Sequence, residues 1–175
     1  TFFLFTWSAA ACGPCFTILI TKITETAARK KLVKDNVIEL LAKISGWMLA
    51  TYITAKIIDT IYWATVTAPS KGFAFLDFYT NNPGSWYGLW ILIAEIGLCG
   101  IVPAAILITD KGRKTQATLW LAVILAVVGV CLNRWVMVLQ VLAIPVLTFE
   151  TWALYWPSWQ EVATTLLPVA LGTIA

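Results

Sequence analysis

Asn133 and Arg134 stand side by side deep inside an apolar stretch, Ala117 to Ala143. A run of about 20 apolar residues is what crosses a bilayer as a helix. An arginine within one costs roughly 2.5–3.5 kcal/mol on the mildest scale, and normally faces a protein interior or a wet cavity where it finds a partner. Two other apolar stretches carry ionisable groups: Glu95 lies within Trp86–Thr109, and Lys56 and Asp59 within Ile38–Pro69. Lys56 precedes Asp59 by three residues, which puts both on one helix face. Counted from the ends of their stretches, Arg134, Glu95 and Asp59 each lie about nine or ten residues in, or roughly 14 Å at 1.5 Å per residue. Three ionisable groups from three helices thus share a layer, with two carboxylates and two cations in balance. Glu95 and Arg134 are expected within salt-bridge distance, with Asn133 orienting the guanidinium and Thr6, Ser8 or Gln140 joining the cluster. Such a group is either a neutralised structural cluster, since buried charges survive only when paired and hydrogen-bonded, or a proton or ligand path, where intramembrane carboxylates gather.

The elements that position these residues read as an all-α integral membrane bundle of about five spans, a single unit over the whole chain. They fall near 1–21, 38–69, 86–109, 117–143 and 161–175. Hydrophobic residues make up 60% of the chain and charged residues 12%, against roughly 45–50% and 25% in soluble domains. The loop at 22–37 carries Lys22, Arg29, Lys30, Lys31 and Lys34, and the loop at 110–116 carries Lys111, Arg113 and Lys114. The loop at 70–85 has Lys71, and that at 144–160 has no basic residue. Lys and Arg collect on the cytoplasmic side, so 22–37 and 110–116 are expected in the cytoplasm and 70–85 and 144–160 outside a multi-pass inner or plasma membrane protein. The aromatics near the outer ends, among them Trp63, Phe78, Tyr79, Trp86, Trp152 and Trp159, suit an interfacial belt. Lys22–Asn36 reads as a topology signal or a short amphipathic helix, and Asn81-Asn82-Pro83-Gly84 as a turn. In the third span, Gly97 and Gly100 allow close helix approach, and Pro103 frees a carbonyl near Cys99 and invites a kink.

Several functions are excluded or set aside. With no histidine in the chain, bis-His haem, His-ligated copper and a His-based catalytic dyad have no ligand or base here. No catalytic residue and no metal ligand set emerges, and the ten Trp lie in or beside apolar spans rather than in a basic, nucleic-acid-binding groove. Cys12-Gly13-Pro14-Cys15 matches the thioredoxin redox tetrapeptide, but that motif wants a soluble helix N-terminus to lower its thiol pKa. Inside an apolar span it reads as a Gly-Pro helix break between two small apolar residues. The alternative is a transmembrane thiol-disulfide carrier using Cys12 and Cys15, with Cys99 and Cys131 as a second pair. A secondary transporter binding substrate at the buried charges is another alternative, one that inverted repeats would mark; no repeat is evident. The chain starts at Thr1 with an apolar span under way and lacks the basic n-region of a signal peptide, so it is expected to be a piece of a longer protein.

The last third carries a more specific pattern. Leu132-Asn133-Arg134-Trp135 is followed by Tyr155-Trp156-Pro157-Ser158-Trp159-Gln160-Glu161-Val162, then Thr164-Thr165 and Gly172. This resembles the end of the NrfD-like, polysulfide-reductase-type membrane subunits, and Glu-x-Gly-x-x-Gly-x-x-Pro at Glu95–Pro103 resembles their preceding helix. The likeness covers the last three spans well and the first two by pattern. It implies the second half of an eight- to ten-helix, two-bundle, haem-free subunit. Such a subunit exchanges electrons between a membrane quinone (menaquinone or ubiquinone) and a ferredoxin-like Fe–S subunit docked on the outer face, and some relatives are thought to move protons. The family's best-known quinone pocket is in the first bundle, so the quinone is expected to bind outside this chain. Lys56, Asp59, Glu95, Asn133 and Arg134 are then the proton-path or buried polar cluster. Ser158 and Glu161 form a capping box opening the last helix.

Overall fold

The computed structural model describes residues 2–70, 72, 74, 92–134, 158–160 and 163. The expected last span, the Asn81–Gly84 turn, Gln140 and the Ser158–Glu161 cap fall partly or wholly outside these residues. All regular structure among the described residues is helical. Helix α1 runs Phe2–Ala28 and α2 runs Asp35–Tyr62. The second continues without a break through a π-helical turn, Trp63–Thr67, into α3, Ala68–Ser70. After the undescribed loop, a π-helical segment Ala94–Ile101 leads into α4, Val102–Ile108. A short α5, Asp110–Lys114, precedes α6, Gln116–Arg134. Among the described residues three runs are long and apolar enough to cross a membrane, namely Phe3–Ala28, Asp35–Ser70 and Gln116–Arg134, and Ala94–Ile108 is a shorter apolar one.

Each long helix buries one stripe. In α1 it is Leu4, Ser8, Ala11, Cys15 and Ile18; in α2, Ile38, Ala42, Ser45, Leu49, Tyr52 and Lys56; in α6, Leu119, Ala122, Ala126, Gly129 and Asn133. The steps alternate between three and four, the signature of a single helix face turned inward. The opposite faces are also apolar, with Phe16, Ile20, Leu40, Trp47, Ile58 and Leu121 exposed. Exposed apolar surface on this scale is what a lipid solvent requires. Water gives no hydrophobic push between helices inside a bilayer, so close packing and interhelical hydrogen bonds hold them together. Small residues provide the closeness: a Cβ on Gly129 would sit 2.7 Å from Cys99 Cβ, and one on Gly46 2.9 Å from Leu107 Cβ. The hydrogen bonds run from Ser45 Oγ to the Ala11 carbonyl at 2.6 Å and from Trp7 Nε1 to Thr51 Oγ1 at 3.2 Å. Helix α1 packs on α2 and α6, and α6 packs on the π-helical segment and α4.

Three local expectations are revised. Helix α1 does not break at Gly13-Pro14; it passes through Pro14 and runs on beyond Thr21 to Ala28. The first turn on from the proline is bridged by Thr17 Oγ1, which donates to the Gly13 carbonyl at 3.0 Å. At Pro103 the chain answers the missing N–H by widening: the preceding segment is π-helical, and Val102 N–H reaches back to the Gly97 carbonyl. Arg113, read from sequence only as a loop cation, is 6% exposed. It donates through Nη1 to the Leu107 carbonyl at 2.7 Å and to the Ile108 carbonyl, and pairs with Asp110. A guanidinium thus satisfies carbonyls that the end of α4 would otherwise leave without donors.

Candidate functional site

The helices α1, α2 and α6 meet the charged turns at one end and a polar layer at the other. Ser8 lies twenty residues back from Ala28, Lys56 twenty-one on from Asp35, and Asn133 seventeen on from Gln116. At 1.5 Å per residue this places all three roughly 26–32 Å from the basic end. Glu95 joins them from the π-helical segment.

The contacts form one chain. Lys56 Nζ lies 3.4 Å from Glu95 Oε1 and donates to Asn133 Oδ1 at 3.0 Å. Tyr52 OH donates to the same Glu95 oxygen at 3.0 Å. Asn133 Nδ2 donates to Ser8 Oγ at 3.4 Å, and Ser8 Oγ to the Phe5 carbonyl at 2.9 Å. Arg134 Nη2 donates to that same carbonyl at 2.8 Å. Lys56 and Glu95 are each 3% exposed and Asn133 2%. Taking such charges out of water costs several kcal/mol per ion, and the pairing plus the flanking amide and phenol offset that cost. Among the described residues three buried side-chain atoms remain without a hydrogen-bond partner, and two of them, Glu95 Oε2 and Arg134 Nη1, belong to this layer; the third is Arg113 Nε at the basic end.

Not every pairing matches the sequence expectation. Glu95 takes Lys56, not Arg134, as its cation. Adjacent residues on a helix point about 100° apart, so when Asn133 faces the interior Arg134 is turned toward α1. There its guanidinium lies 3.0 Å from the centroid of the Phe5 ring, a cation–π contact. Arg134 therefore reaches the layer through the Phe5 carbonyl. Asp59 is half-buried on the Lys56 face and makes no ion pair among the described residues. Thr6 is exposed, and of the candidate hydroxyls it is Ser8 that enters the chain. Tyr52 was not singled out from sequence, although its place four residues before Lys56 was a usable signal: it shares that residue's face.

The four thiols are free. Cys15 Sγ is 3.0 Å from Ser45 Oγ. Cys99 instead packs against Gly129. The described residues hold no group of three or more His, Cys, Asp or Glu placed to share a metal ion.

Fold and site together define an all-α integral membrane protein with a buried, hydrogen-bonded ion pair among its helices. Over 174 residues, 99% of its length, the chain is 40% identical to the protein named "Menaquinone reductase, integral membrane subunit" from Nitratidesulfovibrio vulgaris. The chain is a homologue of that subunit, consistent with an NrfD-like, polysulfide-reductase-type membrane subunit. It spans 41% of the length of that relative. No family model and no solved structure matches the chain.

Proposed function

We propose that this chain forms part of the membrane subunit of a quinone-linked respiratory oxidoreductase, in which it supplies a buried proton-handling cluster. The observation that carries the reading is the 40% identity, along nearly the whole chain, to a menaquinone reductase membrane subunit. Lys56, Glu95, Asn133 and Arg134 are placed in that cluster, with Asp59 at its edge. A Lys–Glu pair can pass a proton between its members without changing its net charge, and such a pair titrates as a unit. Asn133 and Ser8 extend the hydrogen-bonded path toward α1, and Tyr52 holds the Glu95 carboxyl in place. Glu95 Oε2, buried without a protein partner among the described residues, is the atom where a proton would enter or leave.

The polar layer does not itself suit a quinone headgroup. A quinone carbonyl needs free donors on a pocket wall, and here the Tyr52 hydroxyl and Lys56 ammonium are committed to Glu95 and Asn133. We therefore assign the quinone, menaquinone by the relative's name, to parts of the complex beyond this layer. The basic turns face the cytoplasm in this reading. A ferredoxin-like Fe–S subunit docks against the opposite, aromatic-rich end, and electrons pass between it and the quinone pool with proton translocation across the membrane. The test is purification of the protein from its native membranes. Recovery with an Fe–S protein and further redox subunits supports the reading, whereas recovery as a lone homo-oligomer contradicts it.

A further inference from the structure

The polar layer is approached differently from its two sides. Toward the basic turns the core is dry. Ile18, Leu49, Leu107, Val123 and Ala126 fill the space between α1, α2, α4 and α6, each no more than 2% exposed. They lie roughly 10–18 Å short of the layer at 1.5 Å per residue. The cleft between α1 and α6 beside Ile18 and Val123 leaves no room for a water molecule. The buried polar contact in this region joins Ser45 Oγ to the Ala11 carbonyl at 2.6 Å and to Cys15 Sγ at 3.0 Å. Ser45 is eleven residues from Lys56, roughly 16 Å, and Cys15 is seven from Ser8, roughly 10 Å. A proton passes along hydrogen bonds of about 3 Å, so this contact is an island. Lys43, on the same stretch of α2, is exposed on the outside of the bundle.

On the far side the ionisable groups continue. Asp59 stands three residues beyond Lys56 on the same helix face, about 4.5 Å further from the basic turns. Lys56 is 3% exposed, whereas Asp59, Thr60 and Arg134 are half-buried. Within the layer, Glu95 Oε2 and Arg134 Nη1 keep hydrogen-bonding capacity that no described residue uses. We propose, on the reading that the cluster handles protons, that the Lys56–Glu95 pair exchanges them with the side of the membrane away from the basic turns, by way of Asp59. The apolar core around Leu49 and Val123 is then the barrier toward the basic turns. A proton from water binds the Asp59 carboxylate, moves on to Glu95 Oε2 and leaves Asp59 charged again. The Lys56 ammonium balances Glu95 whenever that carboxyl is ionised. A bundle open on one side holds one limb of a translocation route, and the limb to the basic side belongs to other parts of the complex.

The test is one-sided chemical access to the intact complex in sealed vesicles of both orientations. A charged, water-soluble carbodiimide with an amine nucleophile labels carboxyl groups that meet water, and peptide mass spectrometry locates the label. Asp59 should be modified on the order of 10-fold faster from the side away from the basic turns, because a charged reagent crosses hydrocarbon only at great cost. Asp110, whose side chain is 77% exposed beside those turns, marks the other side. Equal modification of Asp59 from both sides, or none from either, overturns the proposal. A charged methanethiosulfonate should leave Cys15 unreacted from both sides, and reaction from the basic side would breach the barrier and overturn it as well. Asp59→Asn should slow quinone-linked turnover on the order of 10-fold, since water only partly stands in for a lost relay, and Asp59→Glu should restore it. Asp59→Asn at the wild-type rate beside a slow Glu95→Gln removes Asp59 from the route. Both variants at the wild-type rate contradict the proton-handling reading itself, whereas the labelling needs no turnover and tests the sidedness alone.

Discussion

Removing the ammonium of Lys56 would strand the Glu95 carboxylate at 3% exposure with only the Tyr52 hydroxyl on it. Breaking a buried pair by deleting one partner is far costlier than replacing both by apolar groups. Lys56→Met is therefore expected to lower stability by about 3 kcal/mol, while Lys56→Met with Glu95→Leu should recover most of that loss. Thermal unfolding in detergent measures both, and a double variant no better than the single would show that the pair is not coupled. At Arg134 the stakes are smaller, since the side chain is only partly buried. Arg134→Ala removes one hydrogen bond and one cation–π contact and should cost about 1–2 kcal/mol. Phe5→Ala should remove part of the same energy, so the two losses should not add; strict additivity in that double-variant cycle would disprove the contact. Residue depth is legible in sequence because the rise per residue is fixed. Which groups touch is not, because it depends on helix rotation: one step of about 100° decides that Asn133 meets Lys56 while Arg134 meets Phe5.

The helices themselves are legible from their apolar runs, but their local departures are not. Pro103 signals a disturbance, and whether it becomes a kink or a widened π-helical segment depends on what α6 and α2 leave room for. Here Gly129 and Gly100 make that room: a Cβ on Gly100 would lie 3.0 Å from the Glu95 carbonyl and 3.1 Å from Ile53. Gly129→Val should force α6 away from Cys99 and cost about 1–3 kcal/mol by overpacking. Its measurable sign is a lowered melting midpoint with reduced protection of Glu95-segment amides, and unchanged stability would mean that the helices can part freely. Arg113 escaped sequence reading for a similar reason. A loop cation and a capping guanidinium have the same local sequence; only the geometry of the carbonyls at Leu107 and Ile108 tells them apart.

At the scale of the molecule, the chain is a membrane bundle with two chemically distinct ends. Basic turns occupy one, and the buried Lys56–Glu95–Asn133 layer lies toward the other. The class was legible from composition and from the Asn133-Arg134 and Pro157–Glu161 patterns, whereas the cluster's internal wiring was not, because it depends on how each helix is rotated about its axis. We read the cluster as handling protons for quinone-linked electron transfer as well as holding helices together. Glu95→Gln tests it most directly, since the amide keeps the shape and can still accept the Tyr52 hydrogen bond but cannot exchange a proton. Quinone-linked turnover should fall by about 100-fold, the lower range for loss of a positioned acid or base, in the fraction that still assembles, with a lowered melting midpoint because the buried Lys56 ammonium loses its carboxylate. A fully assembled Glu95→Gln complex that turns over at the wild-type rate would contradict the account and leave the Lys56–Glu95 pair a purely structural one.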